Sequence, residues 1–254
     1  SAIPKKYKRP AGQIYVLTKT HCGGRCERCG PTGYVENLHS FHKRCFAGKR
    51  KQRPHHGKQK DGKQKHTTVT VDTVTSSPIY RAVHLIRDPF DNIVSRFHLE
   101  KKLNYSAIAD IPADLKRGFW SFCAKMIDRK YHDQEQANRI WDDQVLKLLE
   151  DVPCRADFYR WVLWHDMAFA MTTDMQIPVH IIHYEDYETN FNKTVGDLVQ
   201  FLQVETVGEP DTFKKGLRYK DYFTKEQQKK VGLAAKQLAL PATWNNIKHY
   251  FDIK

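Results

Sequence analysis

Tyr80-Arg81-Ala82-Val83-His84-Leu85-Ile86-Arg87-Asp88-Pro89-Phe90-Asp91-Asn92-Ile93-Val94-Ser95-Arg96-Phe97 reads as a buried strand that delivers an arginine into a capped helix. The apolar run ends at Arg87. Asp88 offers a side-chain oxygen to cap the next helix, and Pro89 suits its first position, where no backbone N–H is needed. Ser95 follows the cap by about two helical turns, so its hydroxyl projects from the side of the strand end. A guanidinium, a hydroxyl and a helix N-terminus at one strand end make a phosphate site.

Working outward, His180-Ile181-Ile182-His183-Tyr184-Glu185-Asp186-Tyr187 is a second apolar strand running into a polar turn. An amphipathic stretch follows from Asn190-Phe191 through Val195, Leu198, Val199, Phe201 and Leu202. Asp157-Phe158-Tyr159-Arg160-Trp161-Val162-Leu163-Trp164 is an aromatic helix upstream of that strand, and Phe213-Lys214-Lys215-Gly216 shortly precedes Tyr222-Phe223-Thr224-Lys225-Glu226-Gln227. In this order and spacing the segments resemble those of the sulfotransferases, which take a sulfuryl group from 3′-phosphoadenosine 5′-phosphosulfate (PAPS), leave adenosine 3′,5′-bisphosphate (PAP), and place the group on an acceptor hydroxyl or amine.

The resemblance covers roughly residues 78 to 228 and implies roles. Arg87 and Ser95 match the arginine and serine that hold the 3′-phosphate. Lys214, Lys215 and the Gly216 backbone match the segment that closes over it, with Lys214 in place of arginine and a shorter interval to Phe223-Thr224. Lysine keeps the charge and loses the bidentate fork.

Near the N-terminus, Gln13-Ile14-Tyr15-Val16-Leu17-Thr18-Lys19-Thr20-His21 is an apolar strand ending in Lys-Thr-His, which looks like the family's second motif. Carried over, His21 is the general base for the acceptor and Lys19 neutralises charge developing on the phosphosulfate. The family's Lys-Ser-Gly-Thr-Thr loop is not evident. Lys19-Thr20-His21-Cys22-Gly23-Gly24 is a divergent version of it, with Gly23 and Gly24 permitting close backbone approach; alternatively the usual loop stood upstream of Ser1.

Strands are expected at about 13 to 18, 68 to 74, 80 to 86 and 178 to 183. Helices are expected at about 89 to 103, 113 to 130, 134 to 150, 155 to 175, 190 to 203, 224 to 238 and 241 to 250. Strands separated by long helical connections imply an α/β fold with a mostly parallel sheet and ligands at the carboxyl ends of the strands. The resemblance implies a three-layer sandwich with a P-loop-like sulfotransferase fold. At 254 residues the chain is expected to be a single domain. No apolar run reaches membrane-spanning length, and no signal-peptide pattern stands at Ser1.

Charge is concentrated. The formal net charge is +13, and residues 43 to 66 hold ten Lys or Arg against the single Asp61. Rich in Gln, Gly and His and lacking apolar periodicity, this segment reads as a mobile basic insertion. As a landing strip for a polyanion it favours an acidic glycan or acidic peptide acceptor. Nucleic acid is disfavoured, because no stacking aromatics interleave the lysines.

Six cysteines leave three readings open. Cys22, Cys26 and Cys29 have the Cys-x3-Cys-x2-Cys spacing that radical S-adenosylmethionine enzymes use for an iron-sulfur cluster. The same three with Cys45, His39 or His42 could hold zinc. An even count, with the sequons Asn104-Tyr105-Ser106 and Asn192-Lys193-Thr194, fits disulfides in a secretory compartment such as the Golgi lumen. The expected enzyme is a PAPS-dependent sulfotransferase without a catalytic metal. The alternatives are the iron-sulfur enzyme and a noncatalytic polyanion-binding relative.

Overall fold

The computed structural model describes residues 38–46, 79–102, 111, 115–129, 142–205, 208 and 211–251. At its centre β1 (Ala82–Ile86) pairs in parallel with β2 (Val179–His183), in a register that sets Ala82 beside Val179 and Ile86 beside His183. A parallel pair needs a long crossover. Here that crossover includes α2 (Pro89–Lys102), α3 (Leu115–Phe122), α4 (Asp143–Leu148) and α5 (Arg155–Asp174). The result is α/β in character, with a small described sheet. The expected strands at 13 to 18 and 68 to 74, which would widen it toward a sandwich, lie outside the described residues.

Side chains alternate across a strand, and the two faces of this sheet meet different helices. His84 packs on α5, against Trp164, His165 and Phe169. His180, of opposite parity to its neighbour Ile181, stacks on Phe201 of α7 (Phe191–Leu202). Between β2 and α7 sits a one-turn helix, α6 (Asp186–Thr189), and the chain closes with α8 (Lys225–Leu238) and α9 (Pro241–Ile247).

The local chemistry explains the boundaries. Asp142 caps α4 by accepting from Gln144 and Val145 N–H. Thr224 and Gln227 form a reciprocal capping box on α8, and Pro241 opens α9. Expected helices are matched at 89 to 103, 155 to 175, 190 to 203 and 224 to 238, as α2, α5, α7 and α8. The one expected at 241 to 250 ends in a 3-10 turn over Lys248–Tyr250. The one expected at 113 to 130 changes character midway, where Cys123–Asp128 widens into a π-helix.

That widening is tied to a crosslink. Cys123 is bonded to Cys154, which stands at the N-cap of α5 with φ 56°, in the left-handed region that a side chain rarely adopts. Asp128 secures the same cap by accepting from Cys154 N–H and Ala156 N–H. Cys45 is also disulfide-bonded, and no free cysteine occurs among the described residues.

One finding corrects the reading of the basic insertion. Its first residues are not loop: α1 (Leu38–Phe46) runs into it, anchored by fully buried Phe41, whose ring meets Trp164 edge-on. The remaining basic residues, 47 to 66, lie outside the described residues. The main core is aromatic. Phe90 contacts Phe158 and Phe223, Phe223 contacts Phe119, and Phe119 contacts Phe97, in edge-to-face geometry at 5.1 to 5.7 Å. Phe90 and Phe97 belong to α2, so this core fixes the helix that begins at the arginine strand end.

Candidate functional site

Arg87 leaves β1 at its carboxyl end. Its guanidinium carbon lies 4.6 Å from the centre of the Tyr184 ring, an orientation that favours the cation. Tyr184 sits at the matching end of β2, and its N–H donates to Ile86 O at 2.7 Å, continuing the parallel ladder by one residue. Half-buried Gly216 lies against both side chains. A methyl group built there would rest 3.6 Å from the Tyr184 ring and 3.7 Å from Arg87 Nη2. Thus two of the expected phosphate residues, far apart in sequence, stand together. The Arg87 Nε is buried and has no hydrogen-bond partner among the described residues, and burying a donor unpaired is costly.

The helix behind Arg87 is closed to ligands at its first turn. Asp88 Oδ1 accepts from Phe90 N–H at 2.9 Å and more weakly from Asp91 N–H. Asp88 N–H itself donates to Glu185 Oε1 at 3.0 Å. Burial raises the Asp88 carboxyl to about 6; nearby Asp91 pushes the same way, while Lys220 and the capping N–H groups oppose it. The expected contribution of the helix N-terminus to an anion is therefore taken up internally. Side chains and the Gly216 backbone remain.

Residues 211–219 carry Gly216 without regular secondary structure. Contacts on both flanks hold them. Phe213 meets Tyr184 edge-on and stacks on Tyr187. Lys215 Nζ lies 2.6 Å from Glu188 Oε1. Arg218 reaches Asp91 at 3.0 Å and Glu188 at 2.7 Å, and Tyr219 N–H donates to the other Asp91 oxygen at 2.7 Å. Lys214 is exposed.

A second polar network backs the site. Tyr250 O–H donates to Glu185 Oε2 at 2.8 Å and meets His183 Nδ1 at 2.8 Å. Burial, with Glu185 beside it, drives the Tyr250 hydroxyl far above the ordinary tyrosine range. Lys220 lies 3.5 Å from Asp88 and donates to Tyr250 O. Behind β1, His84 and His165 share a hydrogen bond of 2.7 Å.

Among the expected site residues the structure joins Arg87 and Gly216 directly and engages Lys215 with Glu188. Ser95 is half-buried on α2. Lys19, Thr20, His21, Gly23 and Gly24 lie outside the described residues, as do Cys22, Cys26 and Cys29. Sequence alone assigns no role to Tyr184, Glu185, Glu188 or Arg218. The Tyr-Glu-Asp turn was visible, whereas Arg218 stood only two residues past Gly216, and its partners are fixed by tertiary structure.

Arg87 Nη2 thus stands against a position without a side chain, while Nε of the same guanidinium is buried without a partner among the described residues. No metal-binding group of three or more His, Cys, Asp or Glu occurs among the described residues, and no described helix is long and apolar enough to cross a membrane. A family profile described as a sulfotransferase domain matches residues 64–237, spanning β1, β2, Arg87 and Gly216. No curated protein and no solved structure matches the chain.

Proposed function

Because the chain belongs to the sulfotransferase domain family, we propose that it transfers the sulfuryl group of PAPS to a hydroxyl or amine on an acidic glycan or acidic peptide. Family membership carries sulfuryl transfer in general. The nucleotide assignment is carried by one observation: Gly216 lies against Arg87, whose buried Nε has no partner among the described residues. Arg87 would take the 3′-phosphate in charge-assisted hydrogen bonds, Gly216 would let it approach, and Ser95 and Lys214 would complete the contacts. Lys215 would join them on release from Glu188.

Lys19 would stabilise charge growing on the bridging oxygen, with Thr20, Gly23 and Gly24 around the 5′-phosphosulfate, and His21 would accept the acceptor's proton. The S–O bond to the donor breaks as the bond to the acceptor oxygen or nitrogen forms. The basic residues between 43 and 66 would hold the anionic acceptor. The Cys123–Cys154 bridge and the disulfide at Cys45 suit an oxidising compartment, in keeping with a secretory, Golgi-type setting.

The test is a calorimetric titration with PAP, together with a transfer assay using sulfur-labelled PAPS and sulfatable polyanions. Binding with turnover supports the proposal. Protein that binds heparin but neither PAP nor PAPS would be a noncatalytic polyanion binder.

A further inference from the structure

Four carboxylates, those of Asp88, Asp91, Glu185 and Glu188, gather between the start of α2, the end of β2 and the segment that carries Gly216, each within reach of Arg218 or Lys220. Asp91 is the most deeply placed, its side chain only 2% exposed. Left alone, these acids would repel a phosphate, and Asp91 would carry a buried charge at high cost. One cation spans three of them. Arg218 Nη1 lies 3.0 Å from Asp91 Oδ2 and 3.7 Å from Glu185 Oε1, while Nη2 lies 2.7 Å from Glu188 Oε2.

The same contacts fix the backbone around Gly216. Asp91 takes two consecutive residues of the segment, Arg218 through its side chain and Tyr219 through its N–H. Glu188 takes Lys215 on one side of Gly216 and Arg218 on the other. Since residues 211–219 have no helix or strand of their own, these pins and the Phe213 ring contacts set where Gly216 stands. Lys215 is three-quarters exposed, and such a pair contributes little. The Arg218 to Asp91 pair, with one partner buried, contributes more.

We propose that Arg218 is the positioning residue of the nucleotide site: by bridging Asp91 and Glu188 it holds Gly216 beside Arg87 and offsets the acidic charge gathered around that segment. The proposal rests on the nucleotide reading above. Arg218 need not touch the nucleotide. It prearranges the segment that does, so ordering is not left to the moment of binding. A planar fork suits this bridge, and lysine could satisfy one carboxylate at a time.

The full chain is compared with Arg218→Lys and Arg218→Gln by calorimetry, using PAP and adenosine 5′-phosphosulfate, which lacks the 3′-phosphate. Hydrogen exchange is followed over residues 213–219 without ligand. For Arg218→Gln, PAP affinity is expected to fall about tenfold or more, the loss of one charge-assisted hydrogen bond. Adenosine 5′-phosphosulfate should change by less than about twofold, and exchange over 213–219 should quicken while β1 and β2 stay protected. Arg218→Lys should fall between. A general structural role would lower both nucleotides together and give no graded recovery with lysine. Wild-type protein that binds PAP while Arg218→Gln binds it equally well, loses both nucleotides alike, or keeps slow exchange at 213–219 overturns the role of Arg218 alone. Wild-type protein that ignores PAP overturns the parent reading and this role with it.

Discussion

His84 on β1 and His165 on α5 share one hydrogen bond of 2.7 Å inside the protein, so one ring must donate and the other accept, and the two facing nitrogens cannot both carry a proton. Burial, reinforced by His183 nearby, lowers His84 to about 4, and burial lowers His165 well below the ordinary histidine range.

Acid should therefore weaken the fold through these rings. Their folded values lie below the unfolded value near 6.5, so their contribution is complete above that pH and is lost as pH falls toward about 4, costing about 3 kcal/mol for His84 alone. Asp128 opposes this. Burial raises it to about 7, so the fold gains from its protonation as pH falls from about 7 toward 3.8. In urea titrations between pH 7.5 and 5, Asp128→Asn, which cannot gain stability by protonation, should lose stability more steeply than wild type. Parallel curves would show that the two groups do not offset one another.

Replacing Arg87 by alanine should weaken PAP binding by at least about 1.5 kcal/mol, the lower range for a charge-assisted hydrogen bond. Adenosine 5′-phosphosulfate should scarcely respond. Calorimetry that finds equal losses for both nucleotides would remove Arg87 from the 3′-phosphate.

The Cys123–Cys154 bridge closes a separation of 31 residues. Converting both cysteines to serine should lower unfolding stability by about 3 to 4 kcal/mol, read from the denaturant midpoint. It should also raise protease sensitivity where Cys154, at φ 56°, turns into α5. An unchanged midpoint would mean that Asp128 holds the cap unaided.

Deleting residues 49–65 should raise the Michaelis constant for an anionic acceptor and flatten its salt dependence, with PAP affinity kept, because exposed charges act over a Debye length of about 8 Å in physiological salt. Loss of PAP binding, or unaltered kinetics with every acidic acceptor tried, would refute the acceptor role of the segment.

Much of the framework was legible because its punctuation is local. Asp88-Pro89, Thr224 with Gln227, and Pro241 mark helix starts by their own chemistry, and apolar runs mark β1 and β2. The helix α1 is hard to read in the sequence because the charge run beginning at Lys43 masks the spacing of Leu38, Phe41 and Cys45, although fully buried Phe41 anchors it. The helix α6, four mostly polar residues, carries no periodicity to read. At the site, Arg87 and Gly216 could be named from motif resemblance. Their neighbours could not: Arg218 with Asp91, and Tyr250 with Glu185, meet only after the crossover and the C-terminal helices have folded. The closure of the α2 N-terminus was half visible, since Asp88 reads as a cap, but the bond from Asp88 N–H to Glu185 required the second strand.

That closure bears on how such a protein can diverge. Amides at an uncapped helix tip bind anions through the backbone, so a site built on them does not depend on the identity of particular side chains. Here Asp88 and Glu185 take up those groups near Arg87, and recognition falls to a few replaceable side chains and one glycine. The scaffold gains nothing from an unpaired Arg87 nitrogen or from an uncluttered Gly216. If the proposed nucleotide role holds, a handful of substitutions would abolish binding while leaving the architecture whole.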